Sequence, residues 1–271
     1  MNDVLLDNSS AALVKALEVN LHAHMPALGR MPGTIFWKEP GFLALLTNLG
    51  PSENYVYLAK ASPQEVDQKI ARVLERNHQL GGIPLGWQVG PSTTPADFGQ
   101  YLLKNGFSFI ARVPGMAANL QKLEKVSPSS SNFVIEPVRT GAQLRQWLDI
   151  LAKVDGFTDA LQDGYGVMFE SLGLDPGGDS QLFLGLESGR AVVTSRLFCA
   201  GGVAGIWHVA TLPEACGKGY GTAMTLAAAN AGHECGYRFG VLYVTPAGLG
   251  VYQRLGFQEY SHIDVYQSPQ P

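Results

Sequence analysis

Cysteine, charge and long apolar runs are all scarce in this chain of 271 residues. Three cysteines, Cys199, Cys216 and Cys235, are too few for a disulfide framework. No CxxC or Cys/His cluster has metal-ligand spacing, so no metal is expected. Charged residues make up 15% of the chain, against about 25% in a typical soluble domain. Nineteen Lys and Arg against 23 Asp and Glu leave a net charge of −4, with no basic run. That argues against nucleic-acid binding, which needs a basic stripe to displace counterions. The apolar stretches fall far short of the roughly 20 residues that span a bilayer, so no membrane association is expected. Asp3 and Asp7 stand where a signal peptide would carry Lys or Arg, and a cytoplasmic location is expected.

Hydrophobic residues, at 46%, suffice for a sizeable core and exclude intrinsic disorder. The length suits about two domains at roughly 100–200 residues each. The clearest composition break is KLEKVSPSSSN, residues 122–132, which is polar, serine-rich and without period. It reads as a linker between two arms.

The first arm opens with a helix over Ser10–Ala23, where Leu13, Leu17 and Leu21 recur at helical spacing. Strands are expected at Thr34–Lys38, Gly41–Thr47, Asn54–Lys60 and Leu85–Gly90. Ser62-Pro63-Gln64-Glu65 reads as a capping box opening a helix to about His78. A helix over Pro95–Asn105 and a strand or hairpin over Gly106–Asn119 complete the arm. The second arm reads as strand Phe133–Val138, helix Gly141–Val154, and an irregular Gly- and Asp-containing stretch, Asp155–Gly178. Strands follow at Gln181–Glu187, Ala191–Ala200 and Val203–Thr211, with a tight turn at Glu187–Arg190. A long helix from about Gly219 to Cys235, strand Val241–Thr245, helix Ala247–Leu255 and strand Phe257–Gln267 close it. Both arms end strand–helix–strand–helix–strand. Their last short helices finish alike, KNGF at 104–107 and RLGF at 254–257. One architecture used twice is the inference.

The informative segment is VATLPEACGKGYGT, residues 209–222. An apolar strand ends at Thr211, and Pro213 forbids its continuation as a central strand. Gly217, Gly219 and Gly221 alternate as an alanine-rich helix begins, with no Ser, Thr, Asp or Asn at the cap position. Glycine permits close backbone approach and unusual dihedrals. The first helical N–H groups then face outward with the positive dipole end behind them, a site for phosphate or diphosphate. A loop that merely makes a tight turn would look the same. A Walker loop is excluded because no Gly-Lys-Ser/Thr is present. GxGxG is not the Rossmann spacing. In the first arm Ser62 and Glu65 would cap the helix internally, so only the second arm is expected to hold a phosphate.

Cys216-Gly217-Lys218-Gly219-Tyr220-Gly221 resembles the Gln/Arg-x-x-Gly-x-Gly/Ala signature of the GCN5-related N-acetyltransferase (GNAT) family. Tyr252-Gln253-Arg254-Leu255-Gly256-Phe257 resembles a second block of that family, at fitting spacing. The resemblance covers about residues 133–267. It implies an α+β fold in each arm, with a central, mostly antiparallel sheet flanked by helices. It implies a degenerate GNAT-like domain at 1–121, a linker at 122–132 and a GNAT N-acetyltransferase domain at 133–271. Cys216 departs from the signature, and is read as a small filler rather than a nucleophile, since a reactive thiol needs a lowered pKa.

The same resemblance implies direct acetyl transfer from acetyl-CoA, as co-substrate and without a metal, to an amine on a small-molecule acceptor. The pantetheine arm would pair with the strand edge Val209–Thr211. An N–H near Val209 or Ala210 would stabilise the oxyanion. Cys216, Gly217, Lys218, Gly219, Tyr220, Gly221 and Thr222 form the coenzyme loop, with the diphosphate on Gly217, Lys218, Gly219, Gly221 and Thr222. Tyr252 matches the family's acid, which protonates the departing thiolate; a core tyrosine on an amphipathic helix is the competing reading. The family's strand glutamate falls near Gly205 and is missing. His208 lies on that strand, and an ordinary imidazole pKa near ~6.5 suits a base, although strand alternation can turn it away. Asp155, Asp159 and Glu170 lie in the irregular stretch that would border the acceptor site, and each is read as a solvated loop residue. A homodimer is possible. A non-catalytic acyl-CoA sensor is the alternative from another class, and O-acetyl or longer acyl transfer also stays open.

Overall fold

Leu13, Leu17 and Leu21 fall on the buried face of the first helix, Ser10–Ala23 (α1), as their spacing requires. The computed structural model describes residues 4–123, 132–174, 178–245 and 248–269. After α1 come a one-turn helix Met25–Leu28 (α2) and strands Ile35–Glu39 (β1), Phe42–Leu46 (β2) and Tyr55–Ala59 (β3). Helix Val66–Gln79 (α3), strand Gly86–Val89 (β4), helix Phe98–Lys104 (α4) and strand Ser108–Asn119 (β5) follow. The second arm contains strand Phe133–Pro137 (β6) and helices Gly141–Asp155 (α5) and Asp159–Leu172 (α6). Then come strands Ser180–Glu187 (β7), Arg190–Ala200 (β8) and Val203–Thr211 (β9) and helix Tyr220–Glu234 (α7). Strand Phe239–Tyr243 (β10), helix Leu249–Leu255 (α8) and strand Gln258–Gln267 (β11) end the chain.

Two expectations change. The stretch from Asp155 is not irregular: Thr158 caps α6 by accepting from the Leu161 amide, at 3.1 Å. Gly164 and Gly166 obscured that helix in the sequence, although Leu161, Tyr165, Met168 and Phe169 bury one face of it. Ser62 and Glu65 do bond, the Ser62 amide donating to the Glu65 carboxylate at 3.0 Å, but they form a turn before α3 rather than its cap. Residues 124–131 of the expected linker, and Ala247 at the expected start of α8, lie outside the described residues.

The chain divides into two compact units, and each draws on both arms. One consists of residues 1–23 and 114–260, the other of 24–113 and 261–271. In the first unit the strand order is β5–β10–β9–β8–β7–β6, with β5 contributing Gly115–Asn119 opposite Phe239–Tyr243. In the second it is β1–β2–β3–β4–β11, with β11 contributing Asp264–Gln267 opposite Gly86–Val89. Pairing is antiparallel in both, except for β9 with β10 and β3 with β4. This is a mixed α/β fold, with helices packed on each sheet.

In the first unit α7 packs on β7–β9, while α1 and α5 pack on β8 and β9. Leu13, Ala16 and Leu17 of α1 join Val203, Phe239 and Val241 in one buried cluster. Asn20, fully buried, anchors α1: its amide donates to the carbonyls of Phe198 and Ala200 at 3.0 and 3.1 Å and its oxygen accepts from Trp207 Nε1 at 3.0 Å. Asn20 Oδ1 lies only 2.1 Å from where a Cβ at position 205 would fall. Glycine is therefore required there, and no carboxylate fits at the place the family's glutamate was sought. In the second unit the core gathers around Trp87, Phe98, Phe107 and Leu102. No described helix is long and apolar enough to cross a membrane.

Candidate active site

Between β8 and β9 the register slips. Thr194 opposes Ala210 and Arg196 opposes Trp207, so Ser195 alone faces His208 and Val209 together. The extra residue is a β-bulge, with His208 at φ +51°, a left-handed conformation that costs a non-glycine residue about 1 kcal/mol or more. The buried Thr194 hydroxyl donates to the His208 carbonyl at 2.8 Å, with the Ala210 carbonyl at 3.4 Å. On the other side, β10 pairs with β9 only through Ala204 and Gly205. Among the described residues, the β10-side edge of Val209, Ala210 and Thr211 therefore has no strand against it.

The glycine loop follows directly. Gly217 and Gly219 both have positive φ, +79° and +80°, and open space lies where their side chains would be. Gly219 is the residue before α7, and no side chain caps that helix. Its first i→i−4 bond runs from Ala223 to the Gly219 carbonyl at 3.0 Å, so the Gly221 and Thr222 amides precede the helical ladder. Gly221 seats the helix against β9, its Cβ position 3.4 Å from Thr211 Oγ1.

The turn between β7 and β8 braces this loop on both sides. Arg190 pairs with Glu214 before it, at 2.5 Å. Glu187 accepts from Lys218 Nζ after it, at 2.8 and 2.9 Å, and from the Tyr220 hydroxyl at 2.6 Å. The Lys218 ammonium, followed by the Tyr220 hydroxyl, holds the Glu187 carboxyl below its ordinary range. The Tyr220 ring is buried and stacks on Phe133 at 4.2 Å. Tyr220 and the Lys218 ammonium thus serve the loop's own framework. Cys216 is exposed, with its sulfur 3.5 Å from the Leu212 carbonyl.

Tyr252 lies on α8, half-buried, edge-on to Phe257 at 6.0 Å. Burial pushes its phenol above the ordinary value, and a hydrogen bond with Thr225 opposes part of that rise. Thr225 in turn donates to the Gly221 carbonyl at 2.9 Å, so the tyrosine is linked to the opening turn of α7.

His208 does not have the ordinary imidazole pKa expected from sequence. Its ring packs edge-on against Trp147 at 5.5 Å and Tyr165 at 5.9 Å. Burial first, and the Arg196 charge second, lower its pKa to about 3. It is therefore neutral at physiological pH. Arg196 is itself buried, stacked over Phe169 and Phe198 and donating to Ser180 Oγ at 3.0 Å. Asp155 and Asp159 sit at the α5 and α6 ends that face each other in sequence, and Glu170 lies in α6. Burial raises the Asp155 carboxyl. Sequence reasoning missed Asn20, Glu187 and Thr194, because each acts through a partner 14 to 187 residues away.

In the second unit the corresponding strand edge is closed. The Thr94 amide donates to the Ala59 carbonyl at 3.1 Å and the Ala61 amide to the Thr94 carbonyl at 3.0 Å, making a parallel bridge between Lys60 and Thr94.

Residues 178–259 match the model of the acetyltransferase (GNAT) domain. No curated protein matches the sequence. Among solved structures, the GCN5-related N-acetyltransferase from Kribbella flavida aligns over 94% of this chain and 96% of its own, with a TM-score of 0.69 and 17% identity. A tandem GNAT protein from the clavulanic acid biosynthesis pathway aligns over 99% and 98%, with a TM-score of 0.63 and 13% identity. A functionally unknown conserved protein from Staphylococcus epidermidis ATCC 12228 aligns over 89% and 96%, with a TM-score of 0.64 and 14% identity. The glycine loop, the bulged strand and α8 all fall within the segment similar to the GNAT domain, and the fold of the chain is that of a tandem GNAT protein.

Proposed function

We propose that the protein transfers an acetyl group from acetyl-CoA to an amine of a small-molecule acceptor, by direct attack on the thioester. The observation that carries this reading is the junction of β9 with α7. There an uncapped helix entrance led by Gly219 lies beside a strand edge that β10 has left. The amides of Gly217, Gly219, Gly221 and Thr222 would hold the diphosphate, aided by the helix dipole. The pantetheine arm would run along Val209–Thr211 as an added strand does. Lys218, Tyr220 and Cys216 would shape the loop through their side chains rather than bind with them.

Tyr252 is the proposed acid. Its raised pKa keeps the phenol protonated through the working range, ready to donate as charge develops on sulfur. His208 is assigned a different part from the one its position suggested: a neutral wall of the site, not the proton acceptor. The amine would then lose its proton to water or arrive uncharged. The unit of residues 24–113 and 261–271 is proposed as a silent copy, the matching strand edge stitched by Thr94, and the protein as cytoplasmic. A ligand that binds only the native state raises its melting temperature by mass action. A thermal-shift comparison of acetyl-CoA, CoA and ATP tests the reading: selective stabilisation by the two CoA species is expected, and none would refute it. Stabilisation without acetyl transfer across an amine panel would instead mark a non-catalytic acyl-CoA sensor.

A further inference from the structure

We propose that Thr194 is a positioning residue for acetyl transfer, which aims the Val209 amide at the thioester oxygen. The proposal rests on the transferase reading, and it selects Val209 over Ala210 as the oxyanion donor.

The argument is geometric. A peptide unit is planar and trans, so its C=O and N–H point in opposite directions. The His208 carbonyl and the Val209 N–H belong to one such unit. Thr194 on β8 holds that carbonyl, its hydroxyl 2.8 Å away. The Val209 N–H is thereby turned from β8 toward the edge where β10 no longer pairs. A regular strand at this point would alternate its bonds between the two neighbours. The bulge breaks the alternation, and His208 at φ +51° shows that the peptide has rotated out of ordinary strand geometry. Thr194 is fully buried on the strand bearing none of the loop residues, so the hydroxyl has no role in solvent. A donor fixed in direction before charge develops is what oxyanion stabilisation requires.

Thr194→Val removes the hydroxyl at nearly constant volume, and Thr194→Ser keeps it. The test compares both with the unaltered protein in steady-state acetylation and in calorimetric titrations with acetyl-CoA and CoA. We expect Thr194→Val to lower kcat about tenfold or more, with the KM for acetyl-CoA rising by no more than about fivefold, the KM for the amine within about twofold, and Thr194→Ser recovering most of the rate. We also expect the unaltered protein to bind acetyl-CoA about fivefold more tightly than CoA through this one bond, and Thr194→Val to erase that preference. Unchanged kcat and preference in Thr194→Val would overturn the proposal, as would Thr194→Ser behaving like Thr194→Val. Binding without turnover in the unaltered protein would refute the transferase reading, while the acetyl-CoA preference still decides the role of Thr194. Absence of any CoA binding would overturn both.

Discussion

The Lys218 ammonium of the glycine loop sits 2.8 and 2.9 Å from the two carboxylate oxygens of Glu187, at the end of β7. The loop's one cation is thus engaged by the protein itself, so in the proposed function the grip on a diphosphate would fall to backbone amides. Lys218→Ala should weaken CoA binding less than about fivefold, the range of a partly exposed ion pair. Gly219→Val should abolish it, since a β-branched residue resists φ +80°. Isothermal titration of both variants checks this, and the reverse ranking would return the binding role to the side chain.

Tyr252→Phe should lower kcat by about 10²-fold or more, the scale of general acid catalysis, with acetyl-CoA affinity within twofold. Because the phenol is raised by burial, the alkaline limb of kcat in the unaltered protein should lie above pH 10. A pH profile that keeps its limb in the phenylalanine variant would remove Tyr252 from proton transfer.

His208 titrates near 3 when folded and near ~6.5 when unfolded. Between those values the unfolded chain binds the extra proton, so stability falls as pH drops from about 6.5 toward 3. The slope from this residue is up to about 1.4 kcal/mol per pH unit. His208→Asn, whose side chain tolerates a positive φ, should flatten that acid limb in denaturant titrations at pH 7, 5.5 and 4. An unchanged limb would mean that the ring is hydrated.

Asn20→Ala should destabilise the unit that carries the glycine loop, although residue 20 is almost 200 positions from the loop. It removes three part-buried hydrogen bonds, to the Phe198 and Ala200 carbonyls and from Trp207 Nε1, at about 0.5–1.5 kcal/mol each. For the same reason a chain of residues 133–271 alone should fail to fold: it lacks α1, and β10 loses Gly115–Asn119. A cooperative melt of that fragment would contradict the composition of the unit.

Coenzyme stoichiometry should be one per chain. Thr94 fills the strand edge in the second unit, and no glycine-led helix entrance accompanies it. Two equivalents in calorimetry would show that the edge opens.

Local pattern accounts for much of what was legible. The leucine spacing of α1 and the runs forming β7, β8 and β9 follow from periods of 3.6 and 2. Gly217 and Gly219 marked the loop because only glycine takes their dihedrals readily. The tight turn at Glu187–Arg190, with Ser188 and Gly189 both at positive φ, was equally local. Helix α6 was missed because two glycines weakened a sound amphipathic pattern.

What sequence determined, then, was where most of the elements lie and that glycines lead into α7 with no side-chain cap, since both depend on residues a few positions apart. Only the tertiary structure decided that α1 is buried against β8 and β9, that Lys218 belongs to Glu187, and that His208 is neutral. Those outcomes depend on desolvation and on partners brought together from distant positions, and no local period encodes either.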